Sequence, residues 1–515
     1  MTSWNRNIYR SFIIISFIGI VVLVLFGISQ VLSYLNTGAD RTSMLHLAVS
    51  KEQVYLPKLE WKDTINPGRP IEKQTLLDIE HDYLNAWYIR NAAYQTNKKE
   101  GIEDYYTKSA RQNLLKSIGS NKKKDIAIHG TTIHHNIALD FYSADGQLAV
   151  LSDTNVKEYQ RVYKGDEVLL EAELRSDYQV MLMLEDGFWR IRHMVKEEPR
   201  PLDTILQNKT LARVIGGKIV IENQEYQIKG INYYPQKTPW NMFGDDFDID
   251  VIAKDFDIIN DSGLNTIRIF VPYEVFGKAK VETEKLDKLR QVLDKAKDKK
   301  LKVIVTLFDF YGNYSVLDWT LTHRHAEQIV TALADHEAIL AWDIKNEPNL
   351  DFESRGKENV VAWLKEMISQ IRQFDPNHLV TIGWSDVESA SLLKEEIDIV
   401  SFHYYRDINN FIEAYNQLNT QINKPMVLQE FGLPSSRGFW SPFGPSEKGQ
   451  AEYHKQFQEI IKQENIHFLS WTLYDFEEVP SAVVGKLPWR KHKQKHFGFI
   501  DRNGNKKPAF EFIAN

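Results

Sequence analysis

Two glutamates in this chain stand where a carboxyl group can do chemistry. The first follows an apolar, strand-like run, Ala341-Trp342-Asp343-Ile344-Lys345, that delivers Asn346-Glu347 and stops at Pro348. The second follows Pro425-Met426-Val427-Leu428-Gln429, which delivers Glu430 and stops at Phe431-Gly432. Paired carboxyls at the tips of buried strands suit the cleavage of a glycosidic bond. One protonates the leaving oxygen while the other attacks the sugar or activates water. The plainer alternative is two strand-end glutamates with no shared task, and the surrounding elements have to decide.

A chain of 515 residues exceeds one ordinary domain and predicts two or three. Hydrophobic content of 43% with 26% charged residues is that of a globular protein with a large core. The net charge of −7 and the lack of a dominant basic tract speak against a nucleic-acid partner. The absence of cysteine excludes disulfides, thiolate metal sites and cysteine nucleophiles.

The elements that must position the glutamates come late in the chain. Ser11 to Ala39 carry no charged side chain, and Phe12 to Val31 are almost wholly apolar, about the length of a membrane-crossing helix. Arg6 and Arg10 precede them. This predicts an uncleaved anchor over 1–39, with the N-terminus cytoplasmic and the rest extracytoplasmic, a single-pass membrane protein. Residues 40–69, with Pro57, Pro67, Gly68 and no clear period, predict a tether with at most one short strand.

From 70 to 200 an α+β domain is expected. Leu76, Leu77, Ile79, Tyr83, Leu84, Trp87 and Tyr88 recur at helical spacing, and a second helix runs through Tyr105, Ala110, Leu114 and Ile118. Strands follow at Thr131–Phe141, Gln147–Asp153, Asn155–Tyr163, Glu167–Leu174 and Ser176–Leu184, then from Trp189. The order resembles the NTF2-like cone fold in pattern, implying a docking, spacing or self-associating role. His129, His134 and His135 cluster here and read as lining an exposed strand start.

Beyond a boundary near 200–212 and a short hairpin between Arg213 and Lys229, strands and helices alternate to the end. The strands begin at Gly230, Thr266, Val303, Ile339, Leu379, Ile399, Met426 and Phe468. Eight such units over 210–515 predict a (β/α)8 TIM barrel, whose chemistry sits at the C-terminal strand ends. A doubly wound sheet is the alternative, weakened because no glycine-rich phosphate turn follows a strand. The tips collect Asn232, Tyr234, Arg268, Asp309, Tyr311, Asn346, Glu347, His403, Tyr405, Glu430 and Trp471.

On these residues the chain resembles the retaining β-glycosidases of the (β/α)8 hydrolase clan, nearest to the cellulase and β-mannanase family five, with family two as a close cousin. The matching pieces are Gly230-Ile231-Asn232, Arg268, Asn346-Glu347-Pro348, His403-x-Tyr405, Glu430-Phe431-Gly432, Trp471 and the closing Phe497-Gly498-Phe499-Ile500-Asp501. The resemblance spans roughly Val214 to Phe512 and implies roles. Glu347 would be the acid/base and Glu430 the nucleophile, with Arg268 and Tyr405 holding Glu430. Asn346 would bind the sugar 2-hydroxyl, His403 orient the acid or a sugar hydroxyl, and Trp471 form the floor. The family's usual histidine near the end of strand three is missing, so Asp309 or Tyr311 would take over its contacts. His323-Arg324-His325 reads as a loop over the site.

The expectation is therefore a membrane-anchored retaining β-glycoside hydrolase acting on a poly- or oligosaccharide, without metal or cofactor. Transglycosylation during processing of an exported polysaccharide is one alternative, and a non-catalytic carbohydrate-binding or assembly scaffold is another.

Overall fold

The computed structural model describes residues 55–62, 68–197 and 211–514, together with 16–17, 19–21 and 24. Among the described residues no helix is long and apolar enough to cross a membrane. This overturns the expected anchor over 1–39 and the single-pass placement built on it. Of that stretch the described residues are Ser16, Phe17, Gly19, Ile20, Val21 and Val24. The rest of that stretch, and most of the expected tether, lies outside the described residues.

After β1 (Lys58–Lys62) come helices Lys73–Thr96, Ile102–Tyr105 and Lys108–Lys123, then β2 (Ile126–Tyr142), β3 (Leu148–Lys164), β4 (Glu167–Glu185) and β5 (Phe188–Lys196). Strands β2 to β5 pair antiparallel in order, and β1 adds a parallel edge beside β2. The helical spacing of Ile79, Tyr83 and Trp87 puts them on one buried face, where Trp87 meets Tyr178 of β4 edge-on at 5.1 Å.

Two sequence readings need correction here. The pairs of short strands around Asn155 and Arg175 are each one continuous strand. Asn155 adopts φ 58° within a register shift between Asp153 and Val156, so a bulge stands where the sequence reads as a break between two strands. Of the three histidines, His129 and His134 are partly exposed, but His135 does not line an exposed strand start. His135 is fully buried, 2.6 Å from Asp153 Oδ2 through Nδ1 and 2.9 Å from Thr132 Oγ1 through Nε2, and Tyr83 donates to the same Asp153 oxygen at 2.8 Å. An inward-facing position can hold a histidine when its ring nitrogens are satisfied.

The hairpin β6 (Arg213–Ile215), β7 (Lys218–Ile221) and β8 (Gln224–Glu225) precedes a closed eight-stranded parallel barrel. Its strands are β9 (Lys229–Asn232), β10 (Thr266–Pro272), β11 (Lys302–Asp309), β12 (Ile339–Asn346), β13 (Leu379–Trp384), β14 (Ile399–Tyr404), β15 (Met426–Phe431) and β16 (His467–Ser470). Both faces of each strand are covered, hence their nearly unbroken apolar runs. Ile219 and Ile228 cluster with Ile304, Leu379, Ile399 and Val427, so the hairpin plugs the N-terminal end and leaves the other end open for chemistry.

The first sheet lies against two barrel helices, Trp319–Leu333 and Lys357–Phe374. Tyr159 packs on Trp319 with ring centroids 4.3 Å apart, Leu56 N donates to Thr320 Oγ1 at 3.0 Å, and Lys157 pairs with Glu366 at 3.0 Å.

Candidate active site

The site is organised by a buried guanidinium. Arg268, second inward step of β10, is wholly buried, and its Nε and Nη2 donate to Asp343 Oδ2 at 2.9 and 2.7 Å. Its Nη1 donates to Glu430 Oε1 at 2.7 Å, and further bonds reach Asn346 Oδ1 at 3.0 Å, Asn232 Oδ1 at 3.2 Å and Thr306 Oγ1 at 3.0 Å. Burial opposes the charge, but Asp343 and then Glu430 outweigh it and raise the proton affinity above the ordinary guanidinium value. Gly383 makes the room: a Cβ there would stand 2.5 Å from Gln429 Oε1 and 2.8 Å from Arg268 Nη2.

Glu347 follows β12 with φ 48° and ψ 50°, a left-handed conformation uncommon for a side-chain-bearing residue. Its N–H donates to Gly383 O at 2.7 Å, which ties the turn to the neighbouring strand. Such local strain persists where the surrounding structure holds it and is frequent at functional sites. His403, at the end of β14, puts Nδ1 3.0 Å from Glu347 Oε1 and 3.5 Å from Glu430 Oε2. Tyr405 donates its hydroxyl to Glu430 Oε2 at 2.9 Å. Its ring is 44% exposed, yet the hydroxyl end is buried. That burial, with Glu430 and Glu347 nearby, keeps the phenol protonated well above its ordinary pKa.

A cavity of about 290 Å³ opens over this array and is lined by Tyr234, Asp309, Asn346, Glu347, Glu430 and Trp471 among others. Tyr234 stacks on Phe270 at 5.1 Å and stands edge-on to Trp471 at 6.4 Å, so two aromatic walls meet under the carboxylates. Its hydroxyl faces Asp309 Oδ2 at 3.4 Å, and burial together with Asp309 keeps it protonated.

Most residues singled out from the sequence therefore converge, but not all meet the cavity. Asn232 stitches strands, donating to Gln429 O at 2.8 Å and Ser470 O at 3.2 Å. Tyr311 turns away and stacks on Trp363 at 5.0 Å, so of the pair proposed to replace the missing histidine only Asp309 faces the cavity. His323-Arg324-His325 is no loop. It belongs to the helix Trp319–Leu333, where His323 and His325 are buried and His325 Nδ1 lies 2.8 Å from Lys278 O. Burial drives their pKa values down to about 3 and about 4, so both are neutral.

Sequence reasoning missed Asp343, the main counter-charge of Arg268, although a lone aspartate inside an apolar strand was its signal. It also missed Trp240, Phe310 and the wall formed by Val483, Val484, Gln494 and Phe497, which comes from a segment without periodicity.

Glu347, His403 and Glu430 offer ligand atoms within 4.8 Å of one another, close enough in principle for a metal ion. A divalent cation there would face the Arg268 guanidinium, already 2.7 Å from Glu430, so the donor set fits poorly. The set suits proton handling better, since His403 Nδ1 stands between the two glutamates, 3.0 Å from Glu347 and 3.5 Å from Glu430.

Residues 222–477 match the family model "Cellulase (glycosyl hydrolase family 5)". A β-glucuronidase from Chlorocebus aethiops is 24% identical over 292 residues, 53% of this chain and 42% of that protein. A probable mannan endo-1,4-beta-mannosidase C from Aspergillus terreus is 26% identical over 225 residues, 33% of this chain and 55% of that protein. The chain thus spans about half the length of these curated relatives. A solved GH5_18 structure from Streptomyces cattleya, in complex with GlcNAc, superposes with a TM-score of 0.45 at 17% identity, covering 56% of this chain and 80% of that one. The closed parallel barrel and the family-model match make residues 222–477 a barrel similar to glycosyl hydrolase family 5.

Proposed function

We propose that the barrel hydrolyses a β-linked oligo- or polysaccharide by double displacement with retention of configuration. The observation that carries this reading is the spacing of Glu347 and Glu430, whose closest oxygens lie within 4.8 Å. Retaining enzymes hold their carboxyls about 5–5.5 Å apart, whereas inverting ones leave about 6.5–9.5 Å for a water. Glu430, paired with Arg268 and Tyr405, is held as a carboxylate aimed at the cavity and serves as nucleophile. Glu347 is the more exposed of the two, and it protonates the leaving oxygen before taking the proton from water. His403, bridging both, is a positioning residue for Glu347. Asn346, which accepts from Arg268 and lines the cavity, binds a sugar hydroxyl, and Trp471 with Tyr234 forms the floor.

The division into an α+β unit over 70–200 and a barrel over 210–515 belongs to the same reading, as does the likeness of the first unit to an NTF2-like cone. The separate hydrophobic clusters of the two parts support that division. Glu347→Gln and Glu430→Gln should each lose hydrolysis of β-glucans, mannans and other β-glycosides with unactivated leaving groups, with wild-type product released in the β-configuration. Full turnover by either variant, or an inverted product, would sink the assignment.

A further inference from the structure

Beside the catalytic cavity lies a second one of about 500 Å³, and Tyr405 and Phe497 line both. The two are therefore compartments of one cleft. The second is built from the segment after β15, with Pro434, Ser441, Pro442 and Phe443 on one side and Lys493 on the other. Phe443 is 99% exposed, and its neighbours Phe439 and Trp440 are 87% and 48% exposed. Single exposed apolar side chains are ordinary, but three aromatics on one short loop at the lip of a cleft mark a binding surface. The loop is braced: Arg437 Nε donates to Gly444 O at 3.0 Å, Ser435 N to His496 O at 2.9 Å, and His492 Nε2 lies 2.9 Å from Ser436 O.

The segment that brings Lys493 to this cavity carries charge of one sign. Between Val479 and Ile500 the chain has five cationic residues (Lys486, Arg490, Lys491, Lys493 and Lys495) and no aspartate or glutamate, in a protein whose net charge is −7. Lys493 is the only charged residue lining the second cavity, it is exposed, and among the described residues no carboxylate pairs with it. The catalytic compartment is the reverse, lined by Asp309, Glu347 and Glu430. A ligand spanning both compartments meets carboxylates at the reacting sugar and a cation in the adjoining compartment.

Resting on the proposed glycosidase reading, we infer that the cleft takes an anionic glycan. An uncharged sugar occupies the catalytic compartment, and a sugar bearing a carboxylate or similar anion lies between Lys493 and Phe443. The aromatic ring covers the apolar face of that sugar, and Lys493 pairs with its acid group. Lys493 and the loop are specificity-determining and stand away from the bond that breaks.

Affinity electrophoresis of the full chain through gels containing carboxymethyl cellulose, xanthan or hyaluronan, each beside its carboxyl-reduced form, tests this without turnover. At least one acidic polymer should retard the protein about tenfold more strongly than its reduced form, the scale of one charge-assisted hydrogen bond. Retardation should fall as salt rises, be lost in Lys493→Glu and be kept in Lys493→Arg, while Phe443→Ala should weaken binding of acidic and reduced forms alike. Equal or absent retardation by every acidic and reduced pair, or a Lys493→Glu variant that binds as the wild type does, overturns the inference. Since binding is read directly, loss of the hydrolytic reading would show in the Glu347 and Glu430 variants and not in these gels.

Discussion

Replacing Arg268 by lysine keeps the charge and removes the fork. The lysine ammonium sits near the position of the guanidinium carbon, roughly 1.3 Å short of the terminal nitrogens. It remains beside Asp343, but the 2.7 Å contact to Glu430 opens to about 4 Å, beyond hydrogen-bonding reach. Six contacts made by five N–H groups, with Nε–H shared between Thr306 and Asp343, fall to those of an ammonium with three N–H groups. Losing the charge-assisted bond to Glu430 costs about 1.5–3 kcal/mol, which is about 10- to 150-fold in kcat/KM if the bond orients Glu430 for attack. Arg268→Met goes further and strands two buried carboxylates, costing about 3–5 kcal/mol of stability and lowering Tm on the order of 10 °C. Steady-state kinetics on an aryl β-glycoside and differential scanning calorimetry, run on the same preparations, separate the two effects. An Arg268→Lys enzyme within threefold of wild-type kcat/KM and with an unchanged Tm would refute the view that the fork holds Glu430.

Three further outcomes are expected. Glu347→Gln should lower turnover of an unactivated β-glycoside by about 10²–10⁴-fold, yet a dinitrophenyl glycoside, whose leaving group needs no proton, should still give a burst and be rescued by azide; equal losses on both substrates would remove Glu347 from the acid role. Stability should fall on acidification. Burial lowers the pKa of His323 and His454 to about 3 and of His325 and His467 to about 4, so between the unfolded value near 6.5 and those values the unfolded chain binds protons that the native state refuses. Stability is thus full above about pH 6.5 and is lost at up to about 1.4 kcal/mol per pH unit for each histidine as pH falls towards 4; a Tm flat from pH 7 to 5 would contradict this. Lys157→Met should destabilise the seam between the first sheet and the barrel by about 3–5 kcal/mol, because Glu366, almost wholly buried, loses its 3.0 Å partner. Charge removal at the partner as well, in Lys157→Met with Glu366→Gln, should recover most of that loss, as measured by chemical denaturation.

What this sequence determines by itself follows from repetition and alternation. Eight apolar runs separated by helical periods leave few foldings other than a barrel, and all eight strands stand where those runs lie. Because barrel chemistry sits at strand ends, Arg268, Asn346, Glu347, His403, Tyr405 and Glu430 could be picked out before their contacts were known. Local pattern did mislead where burial decides the outcome. The step before Asn155 reads as a break between strands but is a bulge, His135 reads as exposed but is buried on Asp153, and the His323–His325 segment reads as a loop but packs inside a helix. The apolar stretch near the N-terminus likewise matched a membrane span in composition alone. Tertiary structure alone decided which strand-end side chains turn into the cavity, sending Tyr311 to Trp363 and Asp309 to the opening. It also set the role of Asp343 and joined the Phe443 loop to the Lys493 wall. Strand periodicity follows from a residue's near neighbours in sequence, whereas those contacts join residues far apart in the chain, and only barrel closure brings them within hydrogen-bonding distance.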